Sequence, residues 1–267
     1  MPSPHDKRAL LATCVAAAAK GAEVIRAGAE RRETLVLETK ARADYVSDVD
    51  RGSEQALGDV IRSRHPDAHL VAEEGSPHLT SLSGLTFIAD PLDGTTNFLH
   101  GFPWYAVSIA AVVDGELEAG VVLNAATGEL FTATAGGGAR RAGQPIRVSK
   151  IEEPNRALIG TGFPFTNEER AARYLQILPT LMLSTAGLRR AGSAALDLCD
   201  VACGRYEAFY ELMLSPWDIA AGLLIVREAG GIVTDLEGKP CPIAKTGVVA
   251  GNPTMHAWLL KHVRTGK

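Results

Sequence analysis

The chain has 267 residues, of which 46% are hydrophobic and 22% are charged, so it can bury a core as one large domain or as two closely packed lobes. Its net charge of -4 offers no basic field for non-specific nucleic-acid binding. The four cysteines suggest no disulfide framework and favour a reducing compartment, and no apolar run is long enough to span a membrane.

The first predicted element is an amphipathic helix. Lys7 and Arg8 precede an apolar run over residues 10–19, an order that superficially resembles a signal peptide. Apolar residues continue at helical spacing through Lys20 as far as Ile25, which lies beyond any cleavage point. We therefore expect a helix of the folded domain, and a cytoplasmic protein.

Two further elements precede the most informative segment. Residues 47–62 have the apolar spacing of a second helix, with Val49 and Leu57 among the residues that face inward. Residues 70–72 form a short apolar run that we predict as a strand, and this run ends at the acidic pair 73–74. A sheet is therefore expected to begin at this point in the chain.

The next segment reads Asp-Pro-Leu-Asp-Gly-Thr-Thr-Asn over residues 90–97 and directly follows an apolar run. Two carboxylates about 4 Å apart near a protein surface repel each other by roughly 4 kcal/mol unless a cation lies between them. Hard oxygen donors of this kind suit Mg²⁺ or Mn²⁺ rather than Zn²⁺, and we expect Mg²⁺ first. The donors offered are the carboxylates of Asp90 and Asp93, the Leu92 carbonyl and the Thr95 hydroxyl.

The same segment also indicates a phosphorylated substrate. Mg²⁺ usually keeps waters and substrate phosphate oxygens among its ligands. Gly94 lets backbone N–H groups approach an anion, and the Thr-Thr-Asn after it can open a helix whose N-terminus binds phosphate. The alternative is an ordinary D-x-x-D-G turn, in which Asp and Gly only shape the chain.

The rest of the chain has two styles of organisation. Residues 105–148 alternate apolar runs with Gly-containing turns typical of antiparallel hairpins, so the first lobe, about residues 1–150, is predicted as α+β. Alternating strands and helices predict an α/β lobe over residues 151–267, and no linker argues for independent domains. Its predicted elements are strands at 158–161, 205–210, 231–233 and 248–250, and helices at 168–183, 193–203, 217–229 and the C-terminus.

Two more carboxylates, Asp50 and Asp218, occupy the fourth position of Ser-x-x-Asp signatures at predicted helix starts. A carboxylate at this position can serve only the helix cap and dipole. Pro216 and Trp217 fix the second of these starts, however, which is what a metal ligand delivered from the second lobe requires.

Motifs along nearly the whole chain occur in one order. They are residues 43–50 (ADYVSDVD), 73–75 (EEG), 90–98 (DPLDGTTNF), 101–103 (GFP), 160–165 (GTGFPF), 191–196 (AGSAAL) and 217–222 (WDIAAG). Together they resemble the inositol monophosphatase family, magnesium-dependent and lithium-sensitive phosphomonoesterases. The resemblance implies a layered α-β-α-β-α architecture of the sugar-phosphatase type, usually as a homodimer.

The resemblance also implies a metal-binding role for individual residues. One Mg²⁺ would bind Glu73, Asp90 and the Leu92 carbonyl, and a second would bind Asp90, Asp93 and Asp218. A third, weaker ion would use Glu73 and waters. Two such metals can stabilise both the attacking and the leaving oxygens of an in-line displacement.

For catalysis, the resemblance implies that Thr95, paired with Asp50, orients the attacking water, while Gly94 and Thr95 N–H groups hold the phosphate. No covalent phosphoenzyme is expected. Lys40 lies near the place of a lysine often found ahead of the Asp44 motif, in an ambiguous register. Substrate hydroxyls would meet Asp93, Gly192, Ser193, Ala194 and Glu211.

Several alternatives remain open from the sequence. Cys199 and Arg205 have the C-x5-R spacing of cysteine phosphatases, but the apolar pattern around Cys199 favours a helix over a phosphate loop. The expected substrate is myo-inositol 1-phosphate, and the same chemistry would fit histidinol phosphate, fructose 1,6-bisphosphate or 3'-phosphoadenosine 5'-phosphate. A different class of function is a regulatory role with the transcription machinery, since bacterial proteins resembling this one associate with it.

Overall fold

The computed structural model describes residues 6–35, 37–41, 44–75, 77, 82–165 and 167–265, without the side chains of residues 34, 37–41 and 44–46. Ala43 and the side chains of Lys40 and Asp44 lie outside the described residues, so their part in the predicted motifs stays a prediction. Among the described residues, no helix combines the length and apolar character that a membrane crossing requires.

Helices and strands alternate along the chain in blocks. The helices are α1 (Lys7–Ala29), α2 (Asp48–Arg64), α3 (Thr95–Leu99), α4 (Glu168–Ser184), α5 (Ala194–Ala202), α6 (Pro216–Glu228) and α7 (Pro253–Thr265). The strands of the first half are β1 (Leu37–Ala41), β2 (Asp44–Ser47), β3 (His69–Ala72), β4 (Leu85–Asp93), β5 (Ala106–Val113), β6 (Glu116–Asn124), β7 (Leu130–Thr134), β8 (Gly138–Arg141) and β9 (Gln144–Pro145). Those of the second half are β10 (Leu158–Thr161), β11 (Gly187–Arg189), β12 (Ala208–Leu214), β13 (Ile232–Thr234) and β14 (Thr246–Gly251).

The predicted first helix is present as α1. The Asp6 carboxylate caps it by accepting the Arg8 N–H at 3.1 Å. Its buried face carries Leu10, Cys14 and Ile25, which follow the helical spacing expected from the sequence. This face packs against α2 and against the first sheet.

The first sheet has the strand order β3-β4-β5-β6-β7-β8-β9, and every neighbouring pair is antiparallel except the parallel pair β3-β4. The Gly-containing turns predicted as hairpins join these strands. At the β5-β6 turn Asp114 and Gly115 have φ of 50° and 88°, as a type I′ turn requires. The antiparallel meander predicted for the first lobe is therefore confirmed.

Strand β4 is longer than its apolar run suggests. The sequence predicts a strand over 85–89, but β4 pairs with β5 as far as Asp93, with an irregular register between Asp90 and Asp93. Pro91 lies in this bulge and has no N–H to give to a ladder. Both carboxylates of the 90–97 segment therefore lie within strand β4 and not in a loop after it.

The second sheet has the order β11-β10-β12-β14-β13 and mixes parallel with antiparallel pairs. Two features differ from the sequence prediction. Strand β11 was not predicted, and β12 begins at Ala208 rather than at residue 205. The start shifts because the N–H groups of Arg205 and Tyr206 donate to the Asp200 carbonyl and close the end of α5.

The elements stack in α-β-α-β-α layers, which confirms the predicted fold class. Helices α1 and α2 cover the outer face of the first sheet. Helices α5 and α6 lie between the two sheets, where Leu198 and Ile225 join Ile88 of the first sheet and Phe209 of the second in one buried cluster. Helices α4 and α7 cover the outer face of the second sheet.

Candidate active site

Acidic residues meet where β3 and β4 end. The two strands run parallel, with Ala72 opposite Ala89. Glu73 follows β3 directly, and Asp90 is the next residue of β4. Because parallel neighbours end at the same edge of a sheet, Glu73 and Asp90 lie close together there. The structure therefore brings together the first two predicted metal ligands.

Asp90 is buried in the bulge of β4, and its carboxylate accepts the Leu92 N–H at 2.9 Å. Burial raises the pKa of Asp90 well above its usual range, and the negative charges of three neighbouring acids raise it further. Those neighbours are Glu73, Asp93 and Asp218. A cation at this point would relieve both the repulsion and the burial cost.

Asp218 reaches the same place from the second lobe. It stands at the start of α6, where its carboxylate accepts the Ser215 N–H at 2.6 Å in a capping box. Burial raises the pKa of Asp218 well above its usual range, and the negative charges of Asp93 and Glu73 raise it further. The predicted cap is therefore present, and the same residue also faces the acids of the first lobe.

Asp93 connects the end of β4 to the start of α5. One of its carboxylate oxygens accepts the Ser193 hydroxyl at 2.6 Å and the Ala195 N–H at 2.8 Å. Burial raises the pKa of Asp93, while these hydrogen bonds and one from the Ala194 N–H oppose the shift. Three residues predicted around the substrate, Asp93, Ser193 and Ala194, are thus neighbours.

Glycines let the backbone segments of the site approach each other. Gly94 has φ of 93°, and a Cβ there would lie 3.0 Å from the Trp104 carbonyl oxygen and 3.2 Å from that of Gly192. Gly192 has φ of 94°, and a Cβ there would lie 2.5 Å from Nη1 of Arg190. The start of α3 and the segment before α5 therefore touch only because both positions are glycine.

Thr95 and Asp50 form a hydrogen-bonded pair. The Thr95 hydroxyl lies 3.0 Å from Asp50 Oδ1 and 3.1 Å from the Leu92 carbonyl oxygen. The other Asp50 oxygen accepts the N–H and hydroxyl of Ser47, at 2.8 and 2.6 Å. Burial raises the pKa of Asp50, and these hydrogen bonds oppose the shift. The pairing expected from the family resemblance is present, and its catalytic role stays a prediction.

The donor set fits a hard cation. Carboxylates and a carbonyl are the ligands that Mg²⁺ prefers, and the acids raise one another's pKa because their negative charges repel. Within the described ranges, no group of three or more His, Cys, Asp or Glu side chains is already arranged to hold one ion unaided. Mg²⁺ usually keeps water and substrate oxygens among its ligands.

Glu211 stands on β12 beside these acids. It is half-buried, and burial raises its pKa to about 8, while the positive charge of Arg190 opposes the shift. Its carboxylate lies over Gly162, where a Cβ would overlap it. Glu211 also lies close enough to Asp93 for that charge to raise its pKa further, and its contact with substrate stays a prediction.

Asp197 is a neighbour that sequence reasoning missed. Its side chain is buried in α5, and neither carboxyl oxygen has a hydrogen-bond partner among the described residues. Burial raises the pKa of Asp197 well above its usual range, and the negative charge of Glu211 raises it further. The signal available in the sequence was a carboxylate between Leu196 and Leu198 in an apolar segment. The structure shows that every residue of this helix is buried.

The cysteine-phosphatase alternative is wrong. Cys199 is buried inside α5, as the apolar pattern favoured, and burial raises the pKa of its thiol. Arg205 is already engaged with Glu129 at 2.7 and 2.8 Å and with Asp200 at 2.9 Å. A buried protonated thiol on a helix cannot attack phosphorus.

Comparisons with known proteins agree with this geometry. The model described as the inositol monophosphatase family matches residues 6–267. A putative Nus factor SuhB of Neisseria meningitidis serogroup B is 43% identical over 251 residues, which cover 94% of this chain and 96% of that protein.

Solved structures show the same similarity. The extragenic suppressor protein suhB of Bartonella henselae has a TM-score of 0.91 at 39% identity, covering 97% of this chain and 100% of that one. An IMPase of Thermotoga maritima has a TM-score of 0.86 at 32% identity, covering 97% of each chain.

Proposed function

Because this chain belongs to the inositol monophosphatase family, we propose that it is a magnesium-dependent phosphomonoesterase acting on a small polyol phosphate, with myo-inositol 1-phosphate as the first candidate. The observation that carries the proposal is the convergence of Glu73, Asp90, Asp93 and Asp218, whose charges oppose one another. Family and fold support the phosphatase chemistry, while the identity of the ester is our proposal.

The residues proposed to hold Mg²⁺ are Glu73, Asp90, Asp93, Asp218 and the Leu92 carbonyl. Asp90 lies among the other three acids and would be a ligand for both ions, while Glu73 and waters would hold a third, weaker ion. When bound, Mg²⁺ neutralises charge on the phosphate and makes a coordinated water more acidic. Removing the metal with a chelator is expected to abolish phosphate release.

Thr95 and Asp50 are proposed to orient the attacking water. When the Thr95 hydroxyl donates to Asp50 at 3.0 Å, its oxygen is left to accept a hydrogen bond from the water, and the proton that the water loses would pass through Thr95 to Asp50. Burial makes Asp50 a better proton acceptor than an exposed aspartate, because it raises the pKa. The water is then aimed at phosphorus, and no covalent phosphoenzyme is needed.

The phosphate is proposed to bind between this water and the alcohol, as an in-line displacement requires. The first-turn N–H groups of α3 have no partner within the helix, so those of Gly94 and Thr95 can hold phosphate oxygens. Glu211 and Asp93 are proposed to bind hydroxyls of the alcohol, together with the segment Gly192 to Ala194. Positioning and charge neutralisation would supply most of the catalysis.

The experiment that tests the function is phosphate release with and without Mg²⁺. The substrates are inositol 1-phosphate, histidinol phosphate, fructose 1,6-bisphosphate and 3'-phosphoadenosine 5'-phosphate, each repeated with lithium. We expect magnesium-dependent, lithium-sensitive turnover that is greatest on inositol 1-phosphate. Preference for another ester would reassign the substrate, and no turnover on any of them by folded protein would contradict the proposal.

A homodimer is also proposed, because an apolar surface is exposed near α4. Phe165, Leu175 and Leu183 are 57%, 68% and 89% exposed. Phe165 and Leu175 line a groove with a volume of about 460 Å³.

A second candidate role for this surface is binding to the transcription machinery in the cytoplasm, since relatives are named Nus factor SuhB. Recovery of transcription proteins with the intact chain, lost when Leu175 is made charged, would favour it.

A further inference from the structure

Helix α2 holds the turn that carries Glu73. The carboxylate of Glu54 accepts two backbone N–H groups from that turn, one on each oxygen: Glu74 N–H at 2.9 Å and Gly75 N–H at 2.8 Å. Two hydrogen bonds to a charged acceptor fix both the position and the orientation of the peptide that follows Glu73. Both oxygens of Glu54 therefore act on the turn.

Gly75 leaves the space that this contact needs. A Cβ at residue 75 would lie 2.5 Å from Glu54 Oε1. The backbone of Gly75 is not among the positions with positive φ, so the absence of a side chain serves close approach and not backbone conformation. An alanine at this position would leave the backbone unstrained and displace the Glu54 carboxylate.

The same face of α2 also holds the end of β4. The Ser53 hydroxyl donates to the Pro91 carbonyl at 2.8 Å, inside the bulge between Asp90 and Asp93. Positions 50, 53 and 54 have the i, i+3, i+4 spacing of neighbours on one helix face, and Asp50 contacts Thr95.

Three side chains on one face of α2 therefore contact three separate segments of the site. The helix itself is anchored in the core by Val49, Leu57 and Ile61, which are buried.

We infer that Glu54 and Ser53 are positioning residues that fix the separation of Glu73 and Asp90, and so set the affinity of the site for Mg²⁺. The inference rests on the proposed function, since it takes Glu73 and Asp90 as ligands. Four acids that repel one another would otherwise move apart before a cation arrives, and binding would have to draw them together again. The contacts of α2 hold two of them in place.

Glu54→Gln tests the inference. The amide offers one acceptor oxygen and places an NH₂ group against the second backbone N–H, so one of the two hydrogen bonds is lost. Titration calorimetry of the metal-free protein with MgCl₂ is expected to show a Kd raised by about 10-fold or more, as supporting contacts of metal ligands typically give. Gly75→Ala and Ser53→Ala are expected to weaken Mg²⁺ binding in the same direction.

Asp59→Asn is the matched control, since Asp59 is an exposed acid on the same helix that contacts only Gln55 and Arg62 in the hydrogen bonds of its carboxylate. It should bind Mg²⁺ as the wild type does. Mg²⁺ affinity unchanged in both Glu54→Gln and Gly75→Ala, with thermal unfolding near that of the wild type, would overturn the inference. A wild-type protein that binds no Mg²⁺ would instead contradict the proposed function itself.

Discussion

Asp93 touches both lobes of the site, because it ends β4 and accepts hydrogen bonds from the start of α5. Asp93→Asn keeps an oxygen that can accept both hydrogen bonds and removes one negative charge from the acidic group. We expect the fold to survive and phosphate release to fall by at least about 100-fold, since supporting the metal and substrate requires the charge.

The measurement is kcat together with thermal unfolding in EDTA. Without metal the variant should unfold at the wild-type temperature or above it, because the repulsion among the acids is smaller. Near-wild-type turnover would remove Asp93 from the proposed ligands.

Asp197 predicts a pH dependence of stability. The unfolded chain releases this proton near the ordinary pKa of 3.8, whereas burial holds it in the folded protein to a higher pH. The folded state then binds more protons, so the free energy of unfolding falls as pH rises above about 4, by roughly 1.4 kcal/mol per pH unit for one proton. Asp197→Asn should remove this part of the slope.

Urea unfolding of both proteins in EDTA between pH 4 and 8 tests this expectation. The other buried acids contribute equally to both curves, so the comparison isolates Asp197. Parallel curves would show that Asp197 ionises without cost in the folded protein.

At the scale of elements, β10 is expected to position Glu211. Thr161 of β10 pairs with Tyr210 of β12, which brings Gly162 beside Glu211. A methyl group at residue 162 would overlap the Glu211 carboxylate, and the residue has no positive φ, so Gly162→Ala should fold and displace that carboxylate. We expect KM for the polyol ester to rise about 10-fold, the value of one hydrogen bond to a charged group.

Gly187→Ala is the control for this variant, because a Cβ on β11 meets its nearest neighbour, Leu158, at 3.4 Å, an ordinary contact. Steady-state kinetics of both variants and Mg²⁺ titration provide the measurements. A change in Mg²⁺ affinity without a change in KM would place Gly162 with the metal site and not with the substrate.

Elements with strong periodicity could be predicted from the sequence. Helix α4 was predicted from 168 to 183 and ends at Ser184, and β10 was predicted with its observed bounds. Strand β11 has only three residues and shows no pattern, and the bulge that extends β4 depends on pairing with β5.

Some residues of the candidate site could likewise be predicted from the sequence, and others could not. Local motifs predicted Asp90, Asp93, Thr95 and Asp218 as site residues, and the family resemblance added Glu211 and the catalytic role of Thr95. Sequence reasoning missed Glu54 because its partners are 20 and 21 residues away and are backbone groups, which leave no signature in the sequence.

At the scale of the whole molecule, we propose that the two lobes form one domain, because the largest buried cluster takes residues from both sheets and from α5 and α6. Arg205 and Glu129 add an ion pair between residues of the two lobes at 2.7 Å.

The exposed apolar surface of α4 predicts that the protein forms a dimer. Leu183 is 89% exposed, so Leu183→Glu should leave the fold intact and insert a charge into the proposed dimer interface. We expect the wild type to elute as a dimer and the variant to shift towards monomer in size-exclusion chromatography with light scattering. Gln176→Glu, at an exposed position of the same helix, should remain dimeric. A wild-type monomer would reject the interface.

The enclosed middle layer limits how this protein could diversify. Every residue of α5 is buried, and Gly222 of α6 leaves so little room that a Cβ there would lie 2.5 Å from Leu198. Random substitution in these helices would mostly destroy the protein. New ester preferences would therefore have to arise at the rim of the site, in the segments around Gly192 and Glu211, which are proposed to contact the alcohol. A directed-evolution library aimed at another alcohol should be confined to those two rim segments.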